Sequence, residues 1–193
     1  MGTLFYIMGK SASGKDTIYQ KLLANPSNRL ERLVIYTTRP IRDGEFDGKE
    51  YYFVGEEEFQ QLKTQGKIIE DREYHTVYGL WRYFTADNMD LEKKNYLGIG
   101  TLESYQKLKK YYGEEKVCPI YIEVEDGERL KRAIAREETQ EIPKYEEMCR
   151  RFLADCQDFS EERIQEAGIQ QRFSNMDGAG GLSKIENYLQ TML

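Results

Sequence analysis

Residues 9–15 read Gly-Lys-Ser-Ala-Ser-Gly-Lys, and this stretch decides the fold of the chain. An apolar run at 3–8 precedes it, and a helical pattern at 14–24 follows it. Glycines let backbone N–H groups turn toward a phosphate, the helix presents its positive end to the anion, and the lysine reaches the outer phosphates. We therefore predict a phosphate loop that binds ATP through Gly9, Lys10, Ser11, Ala12, Ser13, Gly14, Lys15, Asp16 and Thr17. A chance glycine turn is the alternative.

Strand and helix patterns alternate through the rest of the chain. Short apolar runs predict strands at 33–36, 95–100, 117–124 and 169–174. Periodic apolar residues predict helices at 102–111 and 128–136, a helix that begins near Pro143, and a C-terminal helix. In the helix after Pro143 the predicted buried face is Tyr145, Cys149, Phe152, Cys156 and Phe159. This order predicts an α/β fold with a central parallel sheet covered on both faces.

The middle of the chain interrupts this alternation. Residues 37–84 are rich in turn signals and contain short predicted strands at 67–71 and 80–84 and a short helix at 58–65. We interpret this stretch as a small β-rich insertion that binds the acceptor. Residues 1–36 and 85–193 then form the phosphate-loop core.

Composition limits the possible functions. The chain has 193 residues and a net charge of −6, which argues against nonspecific binding to nucleic acid or to an anionic membrane. No apolar run is long enough to span a bilayer, and the N-terminus lacks the features of a signal peptide. The three cysteines form no Cys-x-x-Cys pair, which argues against a zinc site and a disulfide framework. A cytoplasmic protein, monomeric or homodimeric, is expected.

A second anion site is predicted in residues 37–53, TTRPIRDGEFDGKEYYF. Arg39 and Arg42 lie three residues apart in a polar loop, and Tyr51 follows. Arginine forks bind phosphate through two hydrogen bonds, and a tyrosine hydroxyl donates to a remaining oxygen. A second phosphate site beside a phosphate loop indicates a phosphorylated acceptor, although a solvated charged loop is the simpler alternative.

The two motifs together resemble the guanylate kinase family. Its pattern TTR-x-x-R-x-GE-x-x-G-x-x-Y-x-F is matched in full by Thr37, Thr38, Arg39, Arg42, Gly44, Glu45, Gly48, Tyr51 and Phe53. The resemblance implies a P-loop three-layer fold with a mobile lid at about 132–151. It also implies phosphoryl transfer from ATP, with Mg²⁺, to a nucleoside monophosphate, with GMP as the expected acceptor.

The resemblance also assigns individual residues. The acceptor would be bound by Thr38, Arg39, Arg42, Tyr51, Tyr78 and Glu70. Glu70 would accept from N1–H and the 2-amino group of guanine, with Glu73 as a rival. The catalytic cations would be Lys15, Arg39, Arg132, Arg136 and Arg151, with Arg150 as the alternative to Arg151. Asn175 would help to hold the adenine of ATP.

The sequence departs from the family pattern in three places. Leu80 replaces a hydroxyl residue, and Gly98 and Gly100 replace two aspartates, so guanine selectivity rests on Glu70. Asp16 stands where a hydroxyl residue usually binds Mg²⁺. We hypothesise that Asp16 is the metal ligand and compensates for the acid missing at Gly98. The alternatives are a kinase of another small phosphorylated acceptor and a non-catalytic binding module.

Overall fold

The computed structural model describes residues 2–76, 78–176 and 180–192. The strands are β1 (Leu4–Met8), β2 (Leu30–Arg32), β3 (Tyr36–Thr37), β4 (Tyr52–Phe53), β5 (Ile68–Thr76), β6 (Gly79–Ala86), β7 (Asn95–Ile99), β8 (Val117–Glu123) and β9 (Arg172–Ser174). The α-helices are α1 (Lys15–Ala24), α2 (Glu56–Thr64), α3 (Leu102–Tyr112), α4 (Asp126–Glu138), α5 (Tyr145–Asp158), α6 (Glu161–Glu166) and α7 (Gly180–Met192).

The core is a five-stranded parallel sheet in the order β2-β7-β1-β8-β9. Strand β1 is buried along its whole length because apolar side chains cover both faces of the sheet. Tyr6 packs on one face with residues of α3 and α6, and Phe5 packs on the other with residues of α1 and α7. The three-layer α/β fold predicted from the sequence is confirmed.

A second sheet, in the order β4-β3-β6-β5, lies in the predicted insertion. Phe59 of α2 packs edge-on against Phe84 and gives this sheet its own small core. The antiparallel pair β5 and β6 continues from Ile68 to Thr76, further than the predicted strand at 67–71. The sequence signal ended early because polar side chains alternate along the outer half of this hairpin, where both faces meet solvent.

Two sequence expectations are wrong. The predicted strand at 33–36 is a link between sheets, since Leu33 hydrogen-bonds to Leu97 in the core whereas Tyr36 pairs with Tyr52 in the second sheet. The predicted buried face of α5 is also wrong: Cys149 is exposed and Tyr145 is 46% exposed. Helix α5 packs on α4 and the phosphate loop, so a full apolar stripe has no sheet to cover.

Among the described residues, no helix combines the length and apolar character needed to cross a membrane.

Candidate active site

The phosphate loop is shaped by two left-handed residues between β1 and α1. Ala12 has φ +62° and Gly14 has φ +81°, a backbone of the kind that turns N–H groups toward an anion. In this structure the N–H groups of Ser11 and Ser13 already donate to Asp155 and to the Lys10 carbonyl. A Cβ on Gly14 would lie 2.4 Å from Asn175 Nδ2, which itself donates to the Ser13 carbonyl at 2.8 Å. Asn175 therefore braces the loop backbone, while its expected contact with the adenine of ATP stays a prediction.

The open side of the loop carries the cation and the acid that the sequence singled out. Gly14 caps α1 with no side-chain hydrogen bond in the described structure, which leaves the first N–H groups of the helix available to an anion. Lys15 Nζ lies 3.6 Å from the Asp16 carboxylate, whose side chain is 84% exposed. Thr17 is exposed beside it. Lys15 is thus held only by a solvated partner among the residues described.

The other side of the loop is fastened to α4 and α5. The Ser11 N–H donates to Asp155 Oδ2 at 2.7 Å, and the buried Arg129 donates to the Ser11 carbonyl at 3.1 Å. Lys10 Nζ lies 3.2 Å from Asp126, which also binds Arg129. Lys10 and Ser11 therefore position the loop relative to these helices. Sequence reasoning missed this network, although the Asp126–Arg129 spacing of one helical turn was a usable signal.

In the acceptor motif, Arg39 is fixed in place by other side chains. It is 3% exposed and donates twice to the Glu45 carboxylate, at 2.9 Å and 2.9 Å. Its Nε donates to Tyr83 Oη at 3.2 Å, and the Tyr51 ring centroid lies 5.4 Å from the guanidinium carbon. The hydrogen bonds from Arg39 hold the pKa of Glu45 below its ordinary value of 4.5. Arg39 is therefore paired with an ionised acid.

Arg42 is the available cation of this motif. Its backbone N–H donates to Glu45 Oε2 at 2.9 Å, but its exposed guanidinium has no ion-pair partner in the described ranges. Tyr51 is half-buried beside Arg39, and burial raises the pKa of its hydroxyl, which stays protonated. Thr38 accepts from the Arg82 N–H at 2.9 Å and holds the loop against β6. Arg42 and Tyr51 thus flank a fixed Arg39.

Two predicted acceptor residues are placed differently. Tyr78 is 83% exposed and stacks on Trp81, with the ring centroids 6.1 Å apart, so this structure does not bring it to Arg39. Glu70 is 3% exposed and accepts from Thr85 Oγ1 at 2.8 Å and from Ser104 Oγ at 3.1 Å. Its rival Glu73 binds Arg82 on the opposite face of the hairpin.

The two glycines at the end of β7 have a packing explanation. A Cβ on Gly98 would lie 2.6 Å from Tyr6 Cδ2, and a Cβ on Gly100 would lie 2.1 Å from Tyr6 Oη. The Tyr6 ring therefore occupies the space into which side chains at both positions would extend. The absence of side chains at 98 and 100 therefore has a packing explanation, whereas compensation by Asp16 remains a hypothesis.

Two of the predicted lid arginines, Arg136 and Arg151, line a cavity of about 230 Å³ between α4, α5 and the phosphate loop, together with Ser11, Lys144, Glu147 and Phe152. Arg136 has no ion-pair partner in the part of the chain that is described. Arg151 and Arg150 both bind Glu147, at 2.7 Å and 2.6 Å, and lower the pKa of that carboxyl to about 2. Only Arg151 of this pair lines the cavity.

Arg132 is bound elsewhere. Its Nη2 donates to the carbonyls of Asn175 and Met176, at 3.1 Å and 2.6 Å, and its Nε donates to Glu128. These bonds join α4 to the chain after β9, behind the phosphate loop. Of the predicted lid arginines, the structure therefore brings Arg136 and Arg151 together and keeps Arg132 apart.

Comparison with known proteins identifies the family of this chain. The family model described as guanylate kinase matches residues 1–174. This chain belongs to the guanylate kinase family. The guanylate kinase of Wolbachia pipientis wMel is 31% identical over 160 residues, which cover 81% of this chain and 75% of that protein.

Other members of the guanylate kinase family match shorter stretches. The guanylate kinase of Anaplasma phagocytophilum is 34% identical over 69% of this chain and 63% of its own length. That of Streptococcus mutans is 36% identical over 55% of this chain and 53% of its own length. The crystal structure of the Anaplasma guanylate kinase has a TM-score of 0.66 with 24% identity, and covers 98% of this chain and 85% of that one. The last comparison supports the fold alone.

Within this guanylate kinase family member, the geometry separates the motif arginines and lysine into two groups. Lys15, Arg42 and Arg136 keep cationic groups with no ion-pair partner or only an exposed one among the described residues. Arg39 and Arg132 are held by hydrogen bonds to protein groups. Sequence reasoning did not distinguish cations that are held by protein groups from cations that stay accessible. The acid at Glu45, six residues after Arg39, was the available signal for the difference.

Proposed function

We propose that this member of the guanylate kinase family transfers a phosphoryl group from ATP to a nucleoside monophosphate, with GMP as the first acceptor to test. The observation that carries the proposal is the pair of anion sites, one built on Lys15 and the amides before α1, the other on Arg42 beside a fixed Arg39. Each site offers a cation that protein acids leave accessible. A donor triphosphate and an acceptor monophosphate are the ligands that need two such sites.

The chemistry requires positioning more than proton transfer. The attacking oxygen of a monophosphate is already ionised, so no general base is needed, and catalysis comes from alignment and charge stabilisation. Lys15 stabilises the transferring phosphoryl group, while Arg42 and Tyr51 orient the acceptor. Arg136 and Arg151 close over the donor from α4 and α5 and exclude water, which would otherwise hydrolyse ATP.

Mg²⁺ fits the donor side through Asp16. Its exposed carboxylate lies in the first turn of α1, next to Lys15, and offers the hard oxygen that Mg²⁺ prefers. The described residues contain no group of three or more acids, histidines or cysteines able to hold an ion, so phosphate oxygens and water would complete the coordination. When bound, Mg²⁺ neutralises charge on the donor phosphates.

The metal proposal is tested by Asp16→Ala, because a serine at this position would itself offer a hydroxyl to Mg²⁺. We expect the Mg²⁺ concentration for half-maximal turnover to rise about tenfold or more, the effect of losing one ligand or its support. Glu57→Ala is the matched control, because Glu57 is an exposed acid in the first turn of α2, away from the loop. An unchanged Mg²⁺ requirement in Asp16→Ala would rule out Asp16 as the ligand.

A coupled ADP-release assay across GMP, dGMP, AMP, UMP and CMP tests the function itself. Turnover with GMP or dGMP supports the proposal. ATP binding without turnover on this panel supports the second candidate, a kinase of another small phosphorylated acceptor, which the hydrogen bonds already made by Glu70 favour. Failure to bind ATP at all would point to a non-catalytic binding module.

A further inference from the structure

The carboxylate that the family resemblance assigns to the base is enclosed by this chain's own groups. Glu70 accepts from Thr85 and Ser104, and Arg72 Nε lies 3.2 Å from its second oxygen. Burial first, and then the charge of Glu70, raises the pKa of the neighbouring Tyr6 phenol, which stays neutral. Glu70 therefore has two hydroxyl donors and a guanidinium around it before any nucleotide binds.

Arg72 is connected to the side chains around Arg39 through Tyr83. It pairs with Tyr83 across the hairpin, two residues along β5 from the Glu70–Thr85 pair and on the same face of the strand. Tyr83 in turn contacts Arg39 through its hydroxyl and Tyr51 through its ring edge. Arg72 and the phosphate clamp therefore share a neighbouring side chain, which places Arg72 within the acceptor half of the molecule.

Some N–H groups of Arg72 have no hydrogen-bond acceptor among the described residues. Its Nε–H is buried and has no hydrogen-bond acceptor within the described residues, because its short approach to Glu70 is poorly aligned. Its Nη2 lies at 3.5 Å from Glu70, the limit of a hydrogen bond, and its Nη1 has no partner in the same part of the chain. A guanidinium with spare donors is complementary to a ligand that brings acceptor atoms.

We propose that Arg72 contacts the acceptor base and selects 6-oxopurines by donating to O6 and N7. This inference rests on the proposed function and deepens it. Arginine reads O6 and N7 of guanine as a fork, whereas adenine presents an amino donor at that edge. Because the buried Glu70 carboxylate already accepts hydrogen bonds from Thr85 and Ser104, it does not bind the 2-amino group of guanine. The site therefore accepts GMP and inosine monophosphate (IMP) alike and rejects AMP.

The first experiment measures kcat/KM for GMP, IMP, AMP and 7-deaza-GMP, in which a C–H replaces N7. For the unaltered protein we expect GMP and IMP to agree within about threefold, and AMP and 7-deaza-GMP to be about tenfold to hundredfold poorer. In Arg72→Ala the gap between GMP and 7-deaza-GMP should close. Arg72→Lys keeps the charge beside Glu70 without the fork and should also lose the N7 preference.

Nucleotide binding is measured in parallel by the fluorescence of Trp81, the single tryptophan, which lies on the same hairpin. If binding follows the expected order but ADP is never released, the proposed function fails and the inference stands. If GMP turns over while 7-deaza-GMP performs equally well and IMP is rejected, the inference fails and the proposed function stands. The comparison of kcat/KM for GMP and 7-deaza-GMP in the unaltered protein tests whether N7 is contacted, even if Arg72→Ala does not fold.

Discussion

The two anion sites of this molecule are built in different ways. The phosphate loop relies on main-chain N–H groups whose direction is set by left-handed residues at Ala12 and Gly14. The acceptor face relies on side chains from separate segments, in which Arg39 is positioned by Glu45 and Tyr83. A main-chain site can be predicted from the local spacing of residues in the sequence. A side-chain site depends on which acids and hydroxyls the fold brings together.

The largest expected effect is on kcat and comes from changing Lys15, the lysine of the phosphate loop. Lys15→Ala should lower kcat by about 10²–10³-fold or more, because the cation that stabilises the transferring phosphoryl group is lost. Binding of GMP should persist, since the acceptor face contributes its own cations. Steady-state kinetics and Trp81 fluorescence measure the two properties separately.

Lys21→Ala is the control for this change, because Lys21 is an exposed lysine in the last turn of the same helix. It should leave both kcat and GMP binding unaltered. If Lys15→Ala instead abolished GMP binding, the two sites would not be the independent units described above.

The backbone of the donor site is tested by Gly14→Ala. An alanine there must adopt a left-handed φ and must also displace the Asn175 amide, 2.4 Å from its Cβ. We expect the free energy of unfolding to fall by about 2–4 kcal/mol, combining backbone strain and a broken hydrogen bond.

Gly44 provides a matched control on the acceptor side. Its φ is +83°, close to that of Gly14, but a Cβ there would meet nothing within 4 Å. Gly44→Ala should therefore show the strain alone, about 1–2 kcal/mol, when the unfolding of both variants is measured by urea titration. Equal losses in the two variants would mean that Asn175 yields freely and does not brace the loop.

The sequence predicted what local spacing encodes. The strand, loop and helix around Gly9–Lys15 follow from glycine positions and apolar periodicity, and the parallel core follows from the alternation of elements. The prediction of a single strand at 33–36 was wrong because an apolar run does not indicate which sheet its residues join. The exposed face of α5 was misread because periodicity cannot tell a sheet from a neighbouring helix as the packing partner.

The acceptor face was less predictable for the same reason. Arg39 and Arg42 look equivalent in the sequence. Only the folded loop shows that the Glu45 carboxylate binds the guanidinium of Arg39 and, at Arg42, accepts only from the backbone N–H. Arg72 was not predicted as a site residue, because its position relative to Glu70 and Tyr83 depends on strand register. Tyr6, in the middle of an apolar strand, explains Gly98 and Gly100 only once β1 and β7 are paired.

A smaller effect is expected at the lid, where two adjacent arginines share one acid. Arg151→Ala should lower kcat by roughly tenfold, since Arg151 lines the cavity above Ser11 and would face the donor phosphates. Arg150→Ala removes the same charge from the same Glu147 pair but lies outside that cavity, so kcat should hardly change. Equal losses would show that net lid charge matters and position does not.

The smallest effect concerns the acid that positions Arg39. The hydrogen bonds from Arg39 lower the folded-state pKa of Glu45 below 4.5, so its ionised form stabilises the fold above that pH. This contribution is lost as pH falls through the lowered pKa. Glu45→Gln lacks it at every pH. The stability gap between the unaltered protein and Glu45→Gln should therefore be largest near neutrality and should shrink below about pH 4.5.

Urea unfolding between about pH 6 and about pH 3 measures this gap, and Glu57→Gln, at an exposed acid away from Arg39, serves as the control for removing one carboxylate. The KM for the acceptor should also rise in Glu45→Gln with little change in kcat, because a neutral amide cannot hold the Arg39 fork in the same way. A stability gap that did not change with pH would mean that Tyr83 and the Pro40 carbonyl suffice to hold Arg39.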